Sequence, residues 1–202
     1  MSSIVMVTDA TKGLVLGGDS AAVRGHELNV RAEPKVFRAG CYAIGFTTSF
    51  RMGQILRYCT ELPEPPAGAG GDELERFIVT DFVEAVRRAF AEHGFAKTAR
   101  FTSSAEESVT EEGQEVGGRF LVGVAGEIFA IHGDYHVGRP TVPYAAFGVG
   151  APIALGALHA LETVPELSLR QRVTMALEAS EAHCAGVRGP FDFVELSPSP
   201  SA

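Results

Sequence analysis

Three cysteines in 202 residues are too few and too widely spaced for a disulfide framework. Cys41, Cys59 and Cys184 match no metal or redox pattern, so reduced core thiols are the expectation. No apolar run approaches the roughly 20 residues that a membrane span requires. The first residues lack the basic n-region and long apolar stretch of a secretory signal, and the chain reads as cytoplasmic. Basic charge is also scarce. A formal net charge of −8 argues against non-specific nucleic-acid binding, which needs clustered Lys and Arg. The phosphate-binding Gly-x-x-x-x-Gly-Lys pattern does not occur, so any ATP-driven step belongs to another protein. With 46% hydrophobic and 21% charged residues, the chain has the composition of a soluble domain with a sizeable core.

Hydrophobic periodicity divides the chain into strands and helices. Residues 4–10 and 14–16 alternate as an opening hairpin around Thr11, Lys12 and Gly13. Gly17, Gly18 and Asp19 are expected to make a tight backbone path, glycine through its tolerance of positive φ and Asp19 through a side-chain turn. Val30, Val36 and Phe37 fall on further short strands, and 42–46 reads as a buried strand. A helix over 50–58 ends before Pro63, Pro65 and Pro66, and 67–71 is a link. A second helix runs from Asp72 or Glu73 to His93, with Leu74, Phe77, Ile78, Phe82, Val86 and Ala89 on one apolar face. Residues 96–118 are polar and read as a long hairpin loop or insertion, its Glu106, Glu107, Glu111 and Glu112 a solvated acidic patch. Strands follow at 120–124, 128–131 and 142–147. Gly148 to Pro152 opens a small-residue helix, Ser168 caps another that runs to Ala182, and 191–196 is a closing strand. Residues 1–196 form one domain on this reading, and 197–202 are a tail.

Runs of strands alternate with pairs of helices, unlike the regular βα order of a doubly wound sheet. The expected fold class is α+β: two stacked antiparallel sheets with a helix pair on each outer side.

Single residues say little alone. Asp19 is ordinarily a turn residue, and Lys35 after Pro34 an ordinary solvated charge. His132 and His136 flank Gly133 and Asp134, which reads as a polar hairpin end rather than a metal site. His159 and His183 read as structural.

The ordered set says more. A hydroxyl residue after Met1, Gly17-Gly18-Asp19-Ser20, Pro34-Lys35-Val36, Gly148-Val149-Gly150 and the C-terminal run through Cys184 to Leu196 resemble proteasome β-type subunits and their HslV-like bacterial and phage relatives. The resemblance spans nearly the whole chain outside 96–118. It implies a four-layer αββα sandwich and a hydrolase whose first residue after processing, normally Thr, is the nucleophile. Carried over, the nucleophile falls on Ser2, the acid on Asp19 and the lysine on Lys35, sixteen residues beyond the acid. The one extra residue between Ser2 and Asp19 is expected to be absorbed at the turn around Thr11, Lys12 and Gly13. The oxyanion-binding backbone N–H falls on Thr48, in a turn that reads Thr47-Thr48-Ser49 where the family is glycine-rich. Val149 stands where the peptidases carry a serine. Cys184 matches a structural monovalent-cation site, from which Glu181 and Val187 depart; no other cofactor is implied.

The chemistry suits these residues. A hydroxyl needs a neighbouring base, and a free α-amine, with a reference pKa of about 7.7–8.0, sits closer to neutrality than a lysine. A nearby Lys35 charge favours the neutral amine. Met1 must be removed first, and the small Ser2 suits that without a long propeptide. The resemblance further implies a polypeptide substrate, a ring of six or seven subunits, doubled in many relatives, and a separate ATP-dependent unfoldase. Two other functions remain open: a non-catalytic ring subunit, and an amidase acting on a small amide.

Overall fold

Strand β1 (Ser3–Asp9) shows how the chain is layered. Successive side chains of a strand point to opposite faces. Ile4 and Met6 enter a core between two sheets, and Val5 and Val7 enter another under two helices. Both faces are buried along its first five residues, so Ile4 to Val7 are apolar without a break. The computed structural model describes residues 2–24, 26–95, 97–100 and 113–198.

One sheet has the order β12-β1-β2-β13, from β2 (Gly13–Gly18), β12 (Tyr144–Gly148) and β13 (Asp192–Leu196). The other has the order β11-β10-β9-β6-β5, from β5 (Val36–Ala39), β6 (Tyr42–Phe46), β9 (Phe120–Val124), β10 (Glu127–Ile131) and β11 (Val137–Gly138). Every pairing in both is antiparallel. Leu14 and Leu16 face Val36, Ala43, Leu121 and Ile128 across the gap between the sheets.

Helices close the two outer sides. Helix α1 (Phe50–Tyr58), α2 (Gly71–Phe77) and α3 (Val83–Glu92) lie on the five-stranded sheet through Met52, Ile55, Leu74, Val86 and Phe90. Helix α4 (Ala151–Leu161) and α5 (Leu169–His183) cover the four-stranded sheet through Leu158, Val173 and Leu177. The result is the expected αββα sandwich. Each large apolar side chain buried in these cores contributes on the order of 1.5–3 kcal/mol. Ser168 caps α5 as expected, with Gln171 completing a capping box.

Three details differ from the sequence reading. The helix expected from Asp72 or Glu73 to His93 contains a π-helical turn, Ile78–Phe82, between α2 and α3. The segment 96–118 is not all loop: β7 (Lys97–Arg100) pairs antiparallel with β8 (Gly113–Val116), while 101–112, with the acidic patch, lies outside the described residues. So do Met1 and the last four residues of the tail. Third, Gly17 and Gly18 are ordinary strand residues, not a turn at positive φ. A Cβ on Gly17 would come within 2.5 Å of Val173, and one on Gly18 within 2.8 Å of Val36. Glycine is needed there for close packing of sheet, helix and neighbouring strand.

Candidate active site

Asp19 leaves the end of β2 and turns its side chain inward, where it is fully buried. Its Oδ1 accepts the Ser3 N–H at 2.9 Å and the Lys35 Nζ at 2.8 Å. Its Oδ2 accepts the Ala21 N–H at 3.0 Å, closing the expected side-chain turn, and the Arg188 N–H at 3.4 Å. A buried carboxylate is costly unless such donors meet it. Asp19 in return donates its own N–H to the Ser3 carbonyl at 3.2 Å. The acid is thereby tied to the residue after the candidate nucleophile.

Lys35 is the second buried charge. It comes in just before β5 and is only 2% exposed, so the solvated-charge reading does not hold. Besides the ion pair, its Nζ donates to the Ala21 carbonyl at 2.6 Å. Burial pulls the ammonium below its ordinary pKa, and the charge and hydrogen bond of Asp19 work against that fall.

Ser2, Lys35 and Thr48 line one open cleft of about 690 Å³. Ser2 is buried apart from this face, and its carbonyl accepts the Gly150 N–H at 3.2 Å. The hairpin of β3 (Ala21–Arg24) and β4 (Glu27–Val30) forms one wall, with Ala22, Val23 and Val30. Beyond it, Arg31 makes a two-pronged bond to Glu33, both distances 2.8 Å, and lies over the Phe50 ring at 4.8 Å.

The other wall is the 47–49 turn. Thr48 has φ +74°, unusual for a β-branched residue. Ser49 N–H closes the turn onto the Thr47 carbonyl at 2.9 Å, and Thr47 N–H binds the Arg119 carbonyl at 3.0 Å. The Thr48 hydroxyl accepts the Arg119 N–H at 3.3 Å. The Thr48 N–H itself has no acceptor among the described residues, and the residue borders the cleft. Strain held at such a point is a common mark of a functional turn.

No protein-family model matches this sequence, and no curated protein matches it. Solved structures do. The chain is similar to BPH from Thiobacillus denitrificans in complex with epoxomicin, at 19% identity and TM-score 0.72, covering 98% of this chain and 100% of that one. It is similar to HslV from Trypanosoma brucei, at 19% identity and TM-score 0.62, over 96% and 99% of the two chains. The Gly-1 mutant of Anbu from Hyphomicrobium sp. strain MC1 matches at 14% identity and TM-score 0.63, over 98% and 83%. The fold is that of the proteasome-like N-terminal nucleophile hydrolases.

Within this proteasome-like fold, the other residues singled out from sequence are less central. Val149 is 47% exposed and offers no hydroxyl. Cys184 follows α5, and its carbonyl accepts the Val187 N–H at 3.1 Å. Glu181 accepts the Gly189 N–H at 3.0 Å and faces Arg188 at 3.7 Å. The Cys184 carbonyl and the Glu181 carboxylate thus each meet a protein N–H at this turn. What the turn does supply is the Arg188 N–H to Asp19. His132 and His136 form the polar end of the β10–β11 hairpin, where Asp134 accepts the His136 N–H at 3.1 Å. Sequence reading gave no role to Ser3, Ala21, Gly150 or Arg188, whose contributions here are main-chain groups that carry no residue-type signal.

Proposed function

We propose that this protein hydrolyses peptide bonds with Ser2 as an N-terminal nucleophile, once Met1 has been removed. The observation that carries this reading is the buried Lys35–Asp19 pair at 2.8 Å, whose lysine lines the same cleft as Ser2 and Thr48. A buried ion pair is weak support for stability alone. One that borders an open cleft beside a hydroxyl fits chemistry better.

The steps follow from the groups. Ser2 Oγ attacks the substrate carbonyl, and the free α-amine of Ser2 takes its proton, directly or through a water. Lys35 keeps that amine neutral before attack, because a second positive charge beside an ammonium ion lowers the affinity for a proton. Asp19 and the Ala21 carbonyl hold Lys35 in place. The Thr48 N–H donates to the oxyanion of the tetrahedral intermediate. The amine then returns its proton to the leaving nitrogen, and the ester on Ser2 is hydrolysed by water.

Polypeptide as substrate, a homo-oligomeric ring of six or seven subunits, single or doubled, a separate ATP-driven unfoldase and a cytoplasmic setting come with the same reading. No described helix is long and apolar enough to cross a membrane. Val149, exposed and apolar where the peptidases carry a serine, favours the second reading, a ring subunit without turnover. Casein-sized substrates set against a panel of short peptides and small amides separate a peptidase from an amidase. Intact mass after an epoxyketone or β-lactone probe, beside Ser2→Ala, separates an active subunit from an inactive one.

A further inference from the structure

Ser180 lies on α5 and is fully buried, 177 residues from the strand that it touches. Its Oγ accepts the Ser3 hydroxyl at 3.3 Å. Its own proton lies between two carbonyls, Ala176 at 2.9 Å and Gly150 at 3.1 Å. The bond to Ala176 is the ordinary back-bond of a serine inside a helix. The other two contacts need a different explanation, since both groups adjoin the nucleophile. Ser3 follows Ser2; its N–H donates to the Asp19 carboxylate and its carbonyl accepts the Asp19 N–H. Gly150 donates its N–H to the Ser2 carbonyl at 3.2 Å. Space here is tight: a Cβ on Gly150 would lie 2.9 Å from the Ser3 side chain and 2.9 Å from Val187.

Ser2 needs such support more than a threonine would. It lacks the methyl that restricts χ1, and Val149 supplies no hydroxyl to anchor it. Its main chain, held by the Gly150 N–H, is one source of that support. Resting on the peptidase reading above, we infer that Ser180 is a positioning residue for Ser2. Its hydroxyl joins the Gly150 carbonyl to Ser3, and so fixes the peptide that carries the α-amine and Oγ of the nucleophile.

The test uses the full chain with Met1 removed and an epoxyketone probe. The limiting rate of Ser2 labelling and the probe concentration at half that rate are measured separately. Ser180→Ala is expected to lower the limiting rate about tenfold, the effect of one lost hydrogen bond, with the half-saturating concentration unchanged. Hydrogen exchange at the Gly150 amide is expected to quicken. Ser180→Cys, close in volume and a weak donor, covers the case in which the alanine variant folds poorly, and is expected to be intermediate. Ser3→Ala/Ser180→Ala removes both hydroxyls and leaves no orphan, so its thermal stability recovers toward wild type while the labelling rate stays low. A purely structural role would restore both. Wild-type labelling rates in Ser180→Ala, or unchanged Gly150 exchange, would overturn the inference and leave the peptidase reading standing. Wild-type protein that takes no label at all overturns that reading, and the inference with it.

Discussion

Lys35 holds a charge where burial works against it, and its behaviour with pH is the most informative property of a single residue here. Its folded-state pKa lies below the ordinary 10.5, because desolvation outweighs the pull of Asp19. Between that lowered value and 10.5 the unfolded chain binds more protons than the folded one. The contribution of this group to stability therefore rises with pH across the window. Activity runs the other way, since the proposed role needs the charge: Ser2 labelling is expected to fall on an alkaline limb below pH 10.5 while the fold does not weaken from this cause. A labelling rate flat to pH 10.5 would remove Lys35 from the chemistry. Lys35→Met alone strands a buried carboxylate and is expected to cost about 3–5 kcal/mol in denaturant unfolding. Adding Asp19→Asn is expected to recover much of that stability but not the labelling rate, down about 10²–10⁴-fold. Thr48→Gly makes a second residue-scale case. The proposed oxyanion donor is a backbone N–H, and glycine accepts φ +74° freely, so labelling should stay within a few-fold and stability should not fall by more than the lost Arg119 contact. The family resemblance made the pairing of Asp19 with Lys35 legible in the sequence. Their burial was not, because it depends on Ala21, Arg188 and Ser3 closing around them from separate parts of the chain.

Elements were legible where one local pattern decides them. The apolar run of β6 and the Ser168 cap of α5 carry such a pattern and formed as expected; β1 formed as a strand too, but buried on both faces rather than alternating. The π-helical turn at Ile78–Phe82 was not legible, because Leu74, Phe77, Ile78, Phe82 and Val86 keep an apolar face on either side of it. Gly17 was located correctly and explained wrongly: its cause is the distance to α5, which local sequence does not contain. That cause gives a direct check. Gly17→Ala has no backbone reason to be harmful, since its φ is not positive, yet the added methyl meets Val173 at 2.5 Å and Leu177 at 2.9 Å. A loss of about 1–3 kcal/mol in denaturant unfolding is expected from this overpacking. Val173→Ala in the same chain should return part of it. A neutral Gly17→Ala would mean that α5 sits further from the sheet than described.

The two sheets, packed face to face between helix pairs, bring Ser2, Lys35 and Thr48 to a single cleft, with Asp19 buried against Lys35. The αββα layering was legible from the order of strands and helices. The composition of the cleft was not, since its Arg31–Glu33 fork comes from a segment without a regular pattern. Several apolar side chains stay exposed on the outer surface, among them Leu155 of α4 and Met175 of α5. The ring proposed above would give such residues a partner, and light scattering on purified protein is expected to return a mass of six or more chains. A monomer at micromolar concentration would contradict the ring. The central claim, a terminal serine made nucleophilic by its own amine, is tested most directly by intact mass. Natively expressed protein should lack Met1 and gain one epoxyketone adduct per chain, and Ser2→Ala should gain none. Complete retention of Met1 with no adduct would contradict the account.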